Sequence, residues 1–206
     1  MKPANPKPDA SDDTDLLVRY REGDAGAFRQ LVQAWQERML HFFYRLCWDR
    51  DRAEDLTQEL FIKLMQASRR YRPEGRLSTY VYRVATNLWI DHYRAQRPQP
   101  RLYSIDQAIL GGPVAEPVGT GDSPVDHASD QEEKQRLRAA LERLTEPHRI
   151  VFELAVYQQR PYAEIAELLG IPVGTVKSRM HNTVAALREL LAGDEGTAGR
   201  AAREGT

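Results

Sequence analysis

Apolar residues recur at three- and four-residue spacing over two long stretches of the chain, which is the pattern of helices that bury one face. In residues 14–96 three such stripes follow one another. The first runs from Phe28 to Leu46, the second covers roughly residues 51–69, and the third runs from about Leu77 to Gln96. No segment alternates with period two for long enough to predict a strand. The predicted fold is therefore all-α.

A second helical block covers residues 131–192, and a segment rich in proline and glycine separates it from the first. Residues 97–130 contain five prolines and four glycines without sustained periodicity, which predicts a flexible linker. Residues 1–13 and 193–206 are polar and are predicted to be disordered tails. The sequence thus predicts two small helical domains, 14–96 and 131–192, joined by a flexible linker.

The helix boundaries predicted in the second block are those of a helix-turn-helix. A short helix, about Tyr162–Leu169, ends at Gly170, and a longer helix begins after residues 171–172. Glycine adopts the left-handed conformation that a tight helix stop requires. Two helices joined by about three residues that include glycine form a helix-turn-helix. Ahead of this unit, Thr145 is a predicted N-cap with Pro147 in the opening turn of its helix.

The helix after the turn combines an apolar stripe with a face that carries no carboxylate. The stripe is centred on Met180 and consists of Val173, Val176, Met180, Val184, Leu187 and Leu191. In a DNA major groove, cations reach phosphates or guanine edges and asparagine bonds adenine. The candidate reading residues are Thr175, Lys177, Ser178, Arg179, His181 and Asn182. A merely solvated face is the alternative, but such faces usually mix charge signs, and residues 171–188 contain no acid.

Charge is segregated within the first block. Residues 69–101 contain eight arginines against Glu74 and Asp91. The interleaved rings are Tyr71, Tyr80, Tyr82, Trp89, His92 and Tyr93. Cations combined with aromatic rings suit unpaired DNA, where phosphates need charge and exposed bases need stacking partners. Some of these rings must belong to the core, and the pattern alone does not place Tyr80, Trp89 or Tyr93.

The preceding helix has the opposite charge. The stretch DRDRAEDLTQEL, residues 49–60, contains five acids against two arginines. On a helical wheel Asp55, Gln58 and Ile62 lie away from Leu60. An isoleucine on an otherwise polar outer face predicts contact with a basic, partly apolar protein partner, although a lone exposed isoleucine often has no role.

Composition excludes several classes of protein. The 206 residues are 41% hydrophobic with a net charge of −1, so affinity for nucleic acid must come from local patches. The single cysteine, Cys47, excludes an internal disulfide framework and a cysteine-rich zinc site. No apolar run approaches the ~18 residues that span a bilayer, and no secretory signal begins the chain. We expect a cytoplasmic protein without membrane insertion, metal, cofactor or enzymatic activity.

Five segments together resemble the extracytoplasmic-function (ECF) class of bacterial sigma factors, in the sigma-70 family. GDAGAFRQLVQAW, RAEDLTQELFIKLMQA and STYVYRVATNLWIDHYR resemble the region 2 domain of that family. RLTEPHRIVFEL and YAEIAELLGIPVGTVKSRMHNTVAALREL resemble region 4. The resemblance covers both helical blocks in the right order around a variable linker. It implies a dissociable subunit that directs RNA polymerase to promoters.

The resemblance also implies partners and residue roles. The clamp helices of the largest polymerase subunit would bind Asp55, Gln58, Glu59 and Ile62, and the flap of the second subunit is a further contact. The −10 element would be opened and held by Arg72, Arg76, Ser78, Thr79, Arg83, Asn87, Asp91 and Arg94. Within that set Asn87 would contact a flipped base, in a pocket shaped by a loop that contains Arg76, Ser78 and Thr79. The −35 element would be read by the helix at 172–191, and an anti-sigma factor is an expected partner.

Two other classes of protein share part of the pattern. A conventional helix-turn-helix repressor or activator would bind specific duplex DNA by itself, whereas a sigma factor binds promoters well only with core polymerase. A recombinase would need a nucleophile and a base in the first block, which is all-helical and has no glycine-rich phosphate loop.

Overall fold

The computed structural model describes the backbone of residues 16–96 and 128–201, and the side chains of residues 16–96 and 135–192. Every regular element in these ranges is helical, which confirms the all-α prediction. The chain divides into two compact units, Met1–Gln99 and Pro100–Thr206. The predicted tail at 1–13 and residues 97–127 of the predicted linker lie outside the described residues. None of the described helices is both long and apolar enough to cross a membrane.

Residues 16–96 of the N-terminal unit form four α-helices and one short 3-10 turn. They are α1 (Leu16–Arg21), α2 (Ala25–Cys47), α3 (Arg50–Ala67), the 3-10 turn Ser68–Arg70 and α4 (Leu77–Gln96). The carboxylate of Asp24 accepts a hydrogen bond from the Ala27 amide, and that of Asp49 accepts one from Arg52, so both α2 and α3 begin at an N-cap aspartate. Between α1 and α2 the chain turns at Gly23, whose φ of 106° suits glycine.

Aromatic side chains hold α2 and α4 together. Tyr82 of α4 makes edge contacts with Trp35 and Phe42 of α2, with ring centroids 5.8 and 5.7 Å apart, and all three are fully buried. Such tilted pairs contribute roughly 0.5–1.5 kcal/mol beyond the burial of their area. Leu60 and Leu64 of α3 are fully buried as well. The buried residues therefore fix which faces of α3 and α4 remain outside.

The C-terminal unit consists of α5 (Ala128–Glu142), α6 (Glu146–Phe152), the π-helical turn Glu153–Tyr157, α7 (Tyr162–Leu169) and α8 (Val173–Ala201). Thr145 is the N-cap residue of α6 as predicted, but its hydroxyl shares a hydrogen bond of 2.8 Å with Nδ1 of buried His148. The turn between α7 and α8 contains Gly170 at φ 64°, the predicted left-handed stop. The helix-turn-helix prediction is thus confirmed in its geometry.

Two expectations for α8 are wrong. The helix continues to Ala201 instead of ending near 191, because residues 192–201 contain no proline and glycine lowers helix stability without blocking it. Its buried face is also turned by about 70° from the predicted stripe, at 100° per residue. The residues on that face are Val176, Arg179, Thr183, Ala186 and Leu187, whereas Val173 is 38% exposed and Met180 and Val184 are half-buried.

Candidate nucleic-acid interface

The outer face of α4 presents four of the predicted −10 residues in one row. Arg83, Asn87, Asp91 and Arg94 are all exposed, and their spacing of four, four and three residues aligns them along the helix. The apolar residues Val81, Ala85 and Leu88 face the core. Burial of the apolar face therefore turns the row outward, away from α2.

The loop before α4 carries two further cations of the set. Arg72 and Arg76 are exposed. The Arg76 carbonyl accepts hydrogen bonds from the amides of Thr79 and Tyr80, at 3.0 and 3.3 Å, so its backbone starts the helix while its side chain remains at the surface. The structure thus places cations in the loop beside the first turn of α4.

Ser78 and Thr79 do not lie in the loop, contrary to the prediction. Both belong to the first turn of α4, and Ser78 is only 4% exposed. Ser78 lies three residues before Val81 and four before Tyr82, so it shares their buried face. Thr79 is half-buried. Ser78 is therefore part of the packing beneath the loop and is unavailable to a base.

Tyr80 is the aromatic residue that the structure adds to this face. Its ring contacts that of Tyr71 at a tilt of 51°, with centroids 4.7 Å apart, and remains half-exposed seven residues before Asn87. Partial burial raises the pKa of the Tyr80 hydroxyl, and the nearby Arg83 opposes that rise. The spacing of seven residues between Tyr80 and Asn87 indicates that they share a helical face. Sequence alone does not show whether that face is exposed or buried, as the face of Tyr82 is.

Among the rings near the end of α4, Trp89 is buried, whereas His92 and Tyr93 are half-buried. Trp89 is buried and lies against His92 and Tyr93, with centroids 6.1 and 6.2 Å away. Gln96 shares a hydrogen bond of 2.8 Å with His92 and accepts one of 3.2 Å from Arg52 of α3. Burial, and then the charge of Arg52, lower the pKa of His92. The bond from Arg52 to Gln96 joins α3 to α4, and Tyr80 is the half-exposed ring that lies in line with Asn87.

The outer face of α3 combines carboxylates with an apolar pair. Asp55, Gln58, Glu59 and Ile62 are all exposed as predicted, and Ile62 is 48% exposed. Met65, one turn further along, is 40% exposed. It was not among the predicted residues, although it lies three residues after Ile62 and therefore on the same face of α3. We call the surface formed by residues 55, 58, 59, 62 and 65 the α3 ridge. Its chemistry fits a partner with both basic and apolar side chains.

On α8, three of the predicted −35 residues face outward. Lys177, Ser178 and His181 are exposed, and Thr175 and Asn182 are half-buried on one flank. The Ser178 hydroxyl donates a hydrogen bond to the Thr175 carbonyl at 3.1 Å. The exposed part of the first three turns therefore offers a lysine, a hydroxyl and an imidazole.

Arg179 is not on the outward face, which corrects the prediction that it reads DNA. Arg179 is 6% exposed and lies on the buried face between Val176 and Thr183. The Thr183 hydroxyl donates a hydrogen bond to the Arg179 carbonyl at 2.7 Å. Its buried Nε makes no hydrogen bond within the described part of the chain. The long aliphatic stem of arginine can pack as an apolar group, which a wheel based on residue type does not register.

A shallow groove of about 380 Å³ runs beside the outward face of α8. Met180 and Val184, which were predicted to be core, line it together with Lys177, His181 and Arg188, and Tyr162 of α7 contributes to it. The rim of this groove is therefore cationic and part of its lining is apolar.

Comparison with known proteins identifies the family. Two family descriptions match the chain, Sigma-70 region 2 over residues 31–99 and Sigma-70 region 4 over residues 134–187. The ECF RNA polymerase sigma factor SigW of Bacillus subtilis is 31% identical over 179 residues, which cover 85% of this chain and 94% of SigW. The ECF sigma-E factor of Escherichia coli is 30% identical over 173 residues, covering 82% of this chain and 88% of that protein.

Solved structures agree in fold. CnrH, in complex with the cytosolic domain of CnrY, matches with a TM-score of 0.63 at 21% identity, over 88% of this chain and 98% of that one. The sigma factor RpoE of Bartonella quintana, in complex with the anti-sigma factor NepR, matches with a TM-score of 0.58 at 21% identity, over 80% and 96% of the two chains.

These matches confirm the resemblance drawn from the sequence and do not favour the conventional repressor as an alternative. Both family regions occur in the expected order, one on each compact unit. The chain belongs to the ECF class of the sigma-70 family of RNA polymerase sigma factors.

Proposed function

We propose that three surfaces of this sigma factor divide the work of promoter recognition. The row on α4 holds the opened −10 element, the outward face of α8 binds the −35 element, and the α3 ridge binds core polymerase. The observation that carries the proposal is the alignment of Tyr80, Arg83, Asn87 and Arg94 on one outer face of α4, beside a loop that carries Arg72 and Arg76.

The α4 face has the chemistry that single-stranded DNA requires. A base costs a few kcal/mol to leave the stack, and stacking on an aromatic ring returns roughly 1–3 kcal/mol. Tyr80 supplies a half-exposed ring, Arg83 and Arg94 supply charge for phosphates, and the Asn87 amide supplies both a donor and an acceptor for a base edge. Because stacking on Tyr80 and bonding of a base edge by Asn87 require separated strands, binding shifts the equilibrium toward the open promoter.

The α8 face has the chemistry that duplex DNA requires. Lys177 contacts phosphate or a guanine edge, and Ser178 and His181 can donate or accept hydrogen bonds in the major groove. With Arg179 buried, this face has fewer cations than the sequence predicted, so base contacts by Ser178, His181 and half-buried Asn182 carry more of the specificity. Arg188 and Tyr162, at the adjacent groove, extend the surface toward the phosphates.

The α3 ridge is the proposed docking surface for the clamp helices of the largest polymerase subunit. Asp55 and Glu59 offer charge to a basic helix, and Ile62 with Met65 offers the apolar area that association needs. The C-terminal unit would contact the flap of the second subunit. The phosphodiester chemistry then belongs to the polymerase, so the sigma factor needs no catalytic residue and acts in the cytoplasm, where polymerase and promoters meet.

An anti-sigma factor is a further proposed partner. The solved structure of the Bartonella quintana relative contains one, NepR. A chain with separate −10 and −35 surfaces is inhibited by any partner that covers one of them.

The experiment that tests the proposal is in vitro transcription with purified core polymerase over a library of promoter sequences. We expect initiation at a subset that shares a −10 and a −35 element, and no specific duplex binding by the sigma factor alone. The double variant Ile62→Asp, Met65→Asp should not co-purify with core polymerase. The control is the double variant Gln33→Asp, Gln36→Asp, which changes two exposed residues of α2. Specific promoter binding without polymerase would contradict the proposal.

A further inference from the structure

A side chain of α1 holds the backbone at the entrance of the loop that carries Arg72 and Arg76. Nη1 of Arg21 donates a hydrogen bond to the Tyr71 carbonyl at 2.9 Å, between residues 50 apart in the sequence. Helix α1 is itself fixed to the N-terminal unit, because its Leu16 and Leu17 are buried. Arg21 therefore reaches the loop from a rigid support.

Tyr71 is the last anchored residue before the loop. It is 5% exposed, its amide donates to the Ser68 carbonyl at 3.2 Å, and its ring makes a tilted contact with that of Tyr80. The five residues that follow, 72–76, are all exposed. The path of the loop thus depends on the direction in which the chain leaves Tyr71.

The bond from Arg21 acts on that direction. The carbonyl it holds belongs to the planar peptide unit between Tyr71 and Arg72, so fixing the oxygen fixes the orientation of the whole unit. A guanidinium-to-carbonyl bond is charge-assisted and directional. Without it, the peptide could rotate about the Tyr71 Cα–C bond and move Arg72, while the buried ring of Tyr71 stayed in place.

We infer that Arg21 is a positioning residue for the −10 surface, holding the loop at 72–76 in register with Tyr80 and Asn87. The inference rests on the proposed role of α4 in binding the opened −10 element. Arg21 does not touch DNA in this role; it acts through the Tyr71 carbonyl. Removal of the Arg21 guanidinium should therefore reduce discrimination between −10 sequences more than it reduces affinity for the −35 element.

The chain offers a matched control on the same helix. Arg19 is also a surface arginine of α1, but its guanidinium pairs with Asp24 at 2.7 Å, at the corner between α1 and α2. Arg19→Gln and Arg21→Gln remove the same charge from the same helix, and only the second removes the bond to Tyr71. Arg21→Lys keeps the charge and one donor, so it should recover part of the function.

The test uses holoenzyme assembled from core polymerase and each full-length variant. Open-complex formation is followed by permanganate reactivity on two promoters that differ by one base pair in the −10 element, chosen because the wild type discriminates between them. We expect Arg21→Gln to form open complexes about tenfold more slowly on the preferred promoter, the scale of one charge-assisted hydrogen bond, and to discriminate less between the two. Arg19→Gln should match the wild type, and −35 duplex binding should be equal in all variants.

The outcomes separate this inference from the function on which it rests. If the wild-type holoenzyme opens no promoter, the proposed function fails and the role of Arg21 fails with it. If the wild type opens promoters and Arg21→Gln behaves like Arg19→Gln, only the positioning role is overturned. A lower thermal midpoint for Arg21→Gln with equal losses on both promoters would show a purely structural residue and would also overturn it.

Discussion

Helices α4 and α8, the two helices proposed to bind DNA, bury different kinds of side chain. On α4, four residues that the family resemblance assigned to the −10 element are exposed, namely Arg83, Asn87, Asp91 and Arg94. On α8 the exposed face is turned, so that Arg179 is inside and Val173 outside. Both helices bury small polar residues, Ser78 and Thr86 on α4 and Thr183 on α8, but only α8 also buries a long charged side chain, that of Arg179.

The difference shows where hydrophobic periodicity is a sufficient guide. A helix packed along its length against large neighbours buries its apolar residues, so the pattern gives the orientation directly. In the first turn of α8 only part of the apolar stripe is covered, because Val176 is fully buried whereas Val173 is 38% exposed. Because the residues proposed to bind DNA lie in this turn and the two that follow, the pattern is least reliable at the proposed site on α8.

The sharpest way to break the comparison is to truncate Arg179. If it is a packing residue, Arg179→Ala should lower the free energy of unfolding by about 2–3 kcal/mol through lost contacts of its stem. Arg179→Met, which keeps the stem, should restore most of that loss. Thermal and urea unfolding measure both. Normal stability for Arg179→Ala combined with lost −35 binding would return Arg179 to the reading face.

The matching experiment on α4 removes the Asn87 amide. Asn87→Ala should slow open-complex formation by about tenfold, because one pair of hydrogen bonds to an unstacked base is lost, at roughly 1–3 kcal/mol. Closed-complex binding through the −35 element should not change. Permanganate footprinting measures the extent of strand opening. Gln33→Ala is the control, because it removes a side-chain amide at an exposed position of α2 and leaves the α4 face unchanged. A normal bubble in Asn87→Ala would remove Asn87 from the −10 surface.

A smaller effect should distinguish Lys177 from its buried neighbour. Lys177→Ala removes one phosphate contact, so the slope of log affinity against log salt should fall by about 0.9 for holoenzyme on the −35 duplex. Stability should be unchanged, because Lys177 is exposed. An unaltered salt dependence would place Lys177 away from the phosphates.

The smallest expected effect concerns the contact of α4 with α3. Burial and the charge of Arg52 lower the pKa of His92 below its usual 6.5, so protonation opposes folding. The stability that the neutral imidazole contributes is present above the unfolded pKa and is lost as the pH falls through the lower folded value. Wild-type protein should therefore lose slightly more thermal stability between pH 7 and pH 5 than His92→Gln does. Identical pH profiles would contradict this.

Particular residues show how far local pattern reaches. The sequence alone determined the all-α class, the bounds of α4 and α7, the glycine stop at Gly170 and the exposed carboxylates of α3, because each depends on periodicity or on the backbone preference of one residue. The sequence alone also identified the family, because the motifs of region 2 and region 4 are each continuous in the sequence.

Tertiary structure decided what depends on neighbours distant in the sequence. It placed Ser78 under the loop, turned Tyr80 outward while Tyr82 and Trp89 went to the core, buried Arg179, and brought Arg21 to the Tyr71 carbonyl 50 residues away. A side chain is buried only when another element covers it, and no local pattern records which element arrives. The helices could therefore be predicted from local sequence, whereas the proposed DNA-binding surfaces depend on which elements pack behind them.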